Sequence, residues 1–297
     1  MNNKAIAYDL GGVYPALLTP FGKNGNGINK SALGELIEFN INKGVRGFYV
    51  CGSSGEAFMM TEEERMSVYE MVAERVAGRV KLIAQVGSIS TDQAKRFAKR
   101  AKELNYDAVS AVSPFYYSFK FPEIKQYYQS IIAASEMPMV MYNVPCTSNV
   151  NFSIGQIGDI LSMDGVIGLK HTAADFFALE QLKSRFSDKV IFNGFDEMFL
   201  SGLAMGADGA IGSTFNHMAE KFIEIQKLFE ENKMEEALAV QREANRIIGV
   251  LIECGVMQSN KEILCQMGID VGEARAPFAP LSEEQKNRLK AEVTDKL

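Results

Sequence analysis

Short apolar runs rich in strand-forming residues recur along the chain at positions 13–18, 47–51, 81–86, 108–112, 139–143, 166–170, 190–193 and 210–212. Stretches with helical spacing separate them, so the pattern predicts strands alternating with helices. Thr61-Glu62-Glu63-Glu64 reads as a capping box, in which the Thr61 hydroxyl and the Glu64 carboxylate satisfy orphan amides at a helix start. Thr91-Asp92-Gln93-Ala94 opens another helical segment, with Phe97 and Ala101 one turn apart. After Asn216 the pattern turns wholly helical. Phe222, Ile225, Leu228 and Phe229 form one apolar stripe, Ile247, Ile248, Leu251 and Ile252 a second, and Gly255 reads as a stop.

Eight such units fit either a (β/α)8 barrel or a doubly wound open sheet. No GxGxxG follows the first strand, and eight units in about 220 residues match the usual barrel. The expected fold is therefore α/β: a (β/α)8 TIM barrel over residues 1–230, with a C-terminal helical extension over 231–297.

Composition narrows the function classes. Of 297 residues 47% are hydrophobic and 23% charged, which suits a water-soluble chain with a sizeable core. The net charge of −6, without a basic cluster or tail, argues against nucleic acid or an anionic membrane as partner. Cys51, Cys146, Cys254 and Cys265 are scattered without a CxxC pair, the pattern of a reducing compartment rather than a disulfide framework or zinc site. His171 and His217 are the only histidines, too few for a His-based metal centre, and no metal or cofactor is expected. The first eight residues lack the apolar core of a signal peptide and no run is long enough to span a bilayer, so a cytoplasmic location is expected.

In such a barrel chemistry gathers where the strands end. In Val166-Ile167-Gly168-Leu169-Lys170, alternation puts Val166, Gly168 and Lys170 on one side. A lysine facing a dry interior loses hydration of its charged form, which favours a nucleophilic amine able to form a Schiff base with a carbonyl. Taken alone, a solvated lysine closing a strand is the more common case. Tyr142 shares parity with Val140 and is expected to point inward near Lys170, as a phenol able to give and take a proton or as an ordinary core tyrosine. Gly52-Ser53-Ser54-Gly55-Glu56 has no lysine and so is not a P-loop; its amides and hydroxyls suit a carboxylate, or simply make a strand-to-helix turn. Asp196 and Glu197 suit the hydroxyls of a polyol, or a helix start. His171, opposite in parity to Lys170, reads as hydrogen-bonded structure or a substrate contact rather than a catalytic base.

Together these strand ends resemble the pyruvate-dependent class I aldolases related to N-acetylneuraminate lyase and dihydrodipicolinate synthase. The resemblance runs from Tyr14-Pro15-Ala16-Leu17-Leu18-Thr19-Pro20-Phe21 to Ala276-Pro277-Phe278, through Gly52-Ser53-Ser54-Gly55-Glu56, Tyr142-Asn143-Val144-Pro145 and Gly168-Leu169-Lys170. It implies that Lys170 forms a Schiff base with pyruvate, that Tyr142 moves protons, and that Ser53 and Ser54 hold the carboxylate, Ser53 also assisting the tyrosine. It further implies a homotetramer in which Tyr116 reaches a neighbour's site.

Within the family the chain is similar to the lyase branch. Thr147 stands where the synthase branch usually carries an arginine for a second carboxylate. Gly194, Asp196, Glu197 and Ser213 match residues that hold the polyol tail of a sugar acid, and Thr172 one that lines the site. Two departures stand out: Phe215 replaces a tyrosine of many lyases, and residues 146–149 do not match the usual Ala-Leu-Ser-Gly. The resemblance thus implies reversible cleavage of N-acetylneuraminate to N-acetylmannosamine and pyruvate. The rivals are a sibling aldolase on another 2-keto-3-deoxy sugar acid, dihydrodipicolinate synthase, and a catalytically silent barrel that binds a ligand or regulates.

Overall fold

The computed structural model describes residue 7 and residues 9–297. The remaining N-terminal residues, on which the signal-peptide expectation rests, lie outside the described residues. Parallel strands covered on both faces need no polar alternation. Accordingly β2 (Gly47–Val50), β4 (Ala108–Val112), β5 (Met139–Asn143), β6 (Val166–His171), β7 (Val190–Asn193) and β8 (Gly209–Gly212) are buried at every position. β1 (Gly12–Pro15) and β3 (Lys81–Gln85) are buried at all but their first residue. β1 is shorter than its apolar run predicts. Its regular part ends at Pro15, beyond which Ala16 makes only an isolated bridge to Tyr49 and Leu17 N donates to Tyr49 O at 2.9 Å.

The eight strands share one sheet in the order β1-β8-β7-β6-β5-β4-β3-β2. The two strands at the ends of that order are also joined, Arg46 N donating to Val13 O at 3.0 Å. This is the expected (β/α)8 barrel, followed by C-terminal helices.

The chain divides into two compact units. One comprises residues up to 12 and 81–211. It holds the parallel ladder from β3 onward, in which Val112 pairs with Tyr142 and Tyr142 with Lys170. The other comprises residues 13–80 and 212–297. It carries β1, β2, α1 (Lys30–Asn42), α2 (Glu62–Val76), α3 (Phe215–Glu230) and the extension α4 (Met234–Cys254), α5 (Val256–Gln266) and α6 (Glu283–Glu292). The Thr61–Glu64 capping box is formed at the start of α2, and α4 stops at Gly255. One stripe residue departs from expectation: Ile252 is 60% exposed. At about 100° per residue the buried stripe of α4, through Ala244, Ile247, Leu251 and Cys254, drifts around the helix and leaves Ile252 at its outer edge.

Candidate active site

In the first unit, the register of β5 against β6 sets Tyr142 beside Lys170. Both are buried, at 4% and 5% exposure, and Lys170 Nζ lies 4.2 Å from the centroid of the Tyr142 ring. Lys170 is therefore not the solvated lysine that strand ends usually carry, and Tyr142 sits on it as parity predicts. An ammonium over a phenol face is stabilised by the ring quadrupole, and the same adjacency brings an amine and a phenol to one place.

The next register pair is Asn143 with His171. Asn143 Nδ2 lies 3.3 Å from His171 Nδ1, and His171 Nε2 lies 3.2 Å from the carbonyl of Asp175. A carbonyl only accepts, so Nε2 carries the proton and Nδ1 accepts from the amide. That arrangement needs a neutral ring, and burial lowers the His171 pKa in the same sense. Both ring nitrogens of His171 are thus hydrogen-bonded within the protein, in line with the hydrogen-bonded one of the two roles its parity allowed.

Backbone hydrogen bonds lace the strand ends together. Thr172 N donates to Asn143 O at 2.8 Å, and Gly194 N donates to His171 O at 2.9 Å. A Cβ at Gly194 would stand 1.9 Å from Thr172 Oγ1, 2.8 Å from its Cβ and 2.9 Å from its Cα, so only glycine allows this approach. Thr172 Oγ1 is buried and has no hydrogen-bond partner among the described residues, a hydroxyl suited to a ligand's polar group. Asp196 is buried and Glu197 half-buried, together opening a turn of 3-10 helix (Asp196–Met198). Tyr116 lies on the loop after β4 with φ 78°, 83% exposed, its ring edge-on to Tyr117 at 5.0 Å.

In the second unit, the loop after β2 folds on itself. Gly55 N donates to Gly52 O at 3.1 Å and Glu56 N to Ser53 O at 3.0 Å. Ser53 is exposed and Ser54 half-buried. Neighbouring Cys51 is a buried thiol that desolvation pushes up to about 12, which leaves it protonated and poorly nucleophilic. Ser213 is half-buried after β8, its carbonyl accepting from Asn216 Nδ2 at 2.8 Å. Phe215 is fully buried, its ring 4.1 Å from that of Phe222, so this departure falls in core packing.

Three positions that the sequence did not flag support this unit's loops. Asn216 Nδ2 also donates to Ala16 O at 2.9 Å, and Asn216 Oδ1 accepts from Leu18 N at 3.1 Å. Thr19 Oγ1 donates to Gly55 O at 2.7 Å. Lys261 Nζ pairs with Glu56 at 2.7 Å, with side chains 1% and 0% exposed. An amide between Phe215 and Met218 in the first turn of an apolar helix, four residues past β8, was a usable signal for Asn216. Asn260-Lys261-Glu262 reads as a solvated helix face and gave none for Lys261.

A model of the dihydrodipicolinate synthetase family matches residues 9–296. The chain belongs to that family. Among family members it is 43% identical over 288 residues to an N-acetylneuraminate lyase of Escherichia coli (strain SMS-3-5 / SECEC), covering 96% of this chain and 97% of that one. CdNal from Clostridium difficile, in complex with mannosamine, superposes with a TM-score of 0.94 at 41% identity, over 97% of this chain and 99% of the other. N-acetylneuraminate lyase from Fusobacterium nucleatum, complexed with pyruvate, gives a TM-score of 0.93 at 39% identity, over 98% of each chain.

Proposed function

We propose that this family member is a class I aldolase that cleaves N-acetylneuraminate reversibly to N-acetylmannosamine and pyruvate, with Lys170 as the Schiff-base nucleophile. The observation that carries the reading is the buried pairing of Lys170 with Tyr142, Nζ lying 4.2 Å from the ring centroid. The names of the relatives support the substrate, and the pyruvate and mannosamine in two related structures support its two halves.

The Lys170 amine adds to the C2 ketone of the open-chain sugar acid, and loss of water leaves a protonated imine. That cation accepts the electron pair of the C3–C4 bond while the C4 hydroxyl gives up its proton to the Tyr142 phenolate, formed when the phenol protonates the departing water, releasing N-acetylmannosamine as an aldehyde. The remaining enamine is protonated at C3, and water hydrolyses the imine to pyruvate and free Lys170. Ser53 and Ser54 are assigned the carboxylate, with Ser53 assisting Tyr142; Thr172, Gly194, Asp196, Glu197 and Ser213 are assigned the polyol tail. These assignments rest on the motif order and on the orphan Thr172 hydroxyl.

Residues 1–230 are read as the catalytic barrel and 231–297 as its extension. The exposed, left-handed Tyr116 supports a homotetramer in which this ring enters a neighbour's site. A monomer in sedimentation velocity at micromolar concentration would overturn that part. Among the described residues no helix is long and apolar enough to cross a membrane, which is compatible with the cytoplasmic location proposed.

The test is pyruvate release from N-acetylneuraminate by the wild-type chain and by Lys170→Ala. The reading expects turnover in the first and none in the second, with the fold retained. Residues 146–149 favour keeping a sibling 2-keto-3-deoxy sugar acid as a second reading, and a higher kcat/KM for such an acid would establish it.

A further inference from the structure

Glu56 ends the Ser53–Ser54 loop in a left-handed conformation, φ 56° and ψ 33°. That conformation carries an energetic cost for a residue with a Cβ, which contacts around it must offset. The surroundings here are supplied by the C-terminal extension. Lys261 of α5 places Nζ 2.7 Å from Glu56 Oε1, and Arg275 N donates to Glu56 Oε2 at 2.7 Å. Lys261 Nζ also donates to Glu273 O at 3.1 Å and stands 4.2 Å over the Phe21 ring. The Arg275 guanidinium stacks on the same ring at 4.0 Å and forks onto Glu64 at 2.5 and 2.6 Å. From the other side Thr19 holds the Gly55 carbonyl, and a Cβ at Gly55 would meet Leu17 O at 2.8 Å. The loop's last two residues are therefore gripped from both sides.

A fully buried ion pair is seldom worth more to stability than apolar residues of the same volume. What the pair does supply is direction, because a carboxylate held by an ammonium and a backbone amide has one orientation. Glu56 follows Gly55 directly, so the direction of its peptide sets that of the turn carrying Ser53 and Ser54.

We propose that Lys261 and Glu56 are positioning residues for substrate-carboxylate binding: the extension's lysine locks Glu56 in the left-handed conformation that aims the Ser53–Ser54 turn. This rests on the assignment of that turn to the carboxylate. The extension is then part of the substrate-binding apparatus, not only a cover for the fold.

The experiment traps ketones on Lys170 with borohydride and reads the half-saturating concentration by intact-protein mass. Pyruvate and pyruvamide, the same ketone without a carboxylate, are compared in Lys261→Met, Glu56→Gln and the double variant, with thermal melting alongside. Glu56→Gln is isosteric, and the double variant removes both charges together, so the question stays answerable if Lys261→Met alone does not fold. In each folded variant half-saturation by pyruvate should rise about tenfold, the loss of one hydrogen bond to an ionised group. Pyruvamide trapping and the plateau with pyruvate should stay unchanged. A purely structural pair would lower the melting temperature and shift both ketones alike or neither, and that result would overturn the proposal. Equal half-saturation by pyruvate and pyruvamide in the wild-type chain would instead remove the carboxylate assignment, and this inference with it.

Discussion

His217 lies on α3 with no exposed surface, its Nε2–H donating to Asn260 Oδ1 at 3.0 Å. Burial strips the imidazolium of hydration, and together with repulsion from Lys43 this outweighs the Asn260 hydrogen bond. The pKa is pushed from 6.5 down to about 3. Above pH 6.5 the ring is neutral in both the folded and the unfolded chain and adds no pH dependence. As the pH falls below 6.5 the unfolded chain takes up a proton that the fold refuses, so stability drops until about pH 3. Between about pH 6 and about pH 4 the integrated loss is about 2.5 kcal/mol. His171, lowered in the same direction, adds to it. His217→Gln keeps a side-chain N–H for Asn260 and removes the titration. Urea unfolding of both proteins across this range should show the wild-type advantage at about pH 6 shrinking by about 2.5 kcal/mol at about pH 4. Parallel stability profiles would refute the reasoning, since they would mean that the ring titrates alike in both states.

Tyr142→Phe keeps the ring beneath Lys170 and removes only the hydroxyl, so kcat for N-acetylneuraminate cleavage should fall by about 10²–10⁴-fold. Borohydride trapping of pyruvate on Lys170 should persist. Gly194→Ala forces a methyl against the Thr172 backbone, which must shift at a cost of about 1–3 kcal/mol. A raised KM for the sugar acid with a lowered melting temperature would report it, and unchanged kinetics would argue against the close approach. Asp196→Ala should raise KM for N-acetylneuraminate by at least about tenfold while leaving half-saturation by pyruvate unchanged, because only the polyol tail is proposed to meet it.

Much of the fold was legible because buried parallel strands announce themselves as uninterrupted apolar runs, and caps such as Thr61–Glu64 announce helix starts. Parity along β6 was enough to put Lys170 on the same side as Gly168, and parity along β5 to put Tyr142 on the same side as Val140. Their adjacency, by contrast, depends on the register of β5 against β6, which strand composition does not encode. The support behind the loops was less legible still. Glu56 and Lys261 meet only because α5 packs where the β2 loop ends, and each alone reads as a solvated charge. Ile252 was misjudged because a stripe read from spacing is straight, whereas the buried face of a long helix follows what it packs on.

The central claim is that Lys170 is the nucleophile toward this sugar acid. Incubation with N-acetylneuraminate, reduction with borohydride and peptide mass mapping tests it in one step. The account predicts a reduced pyruvyl adduct on Lys170 and on no other lysine. An adduct elsewhere, or turnover of N-acetylneuraminate with Lys170 unmodified after reduction, would contradict it.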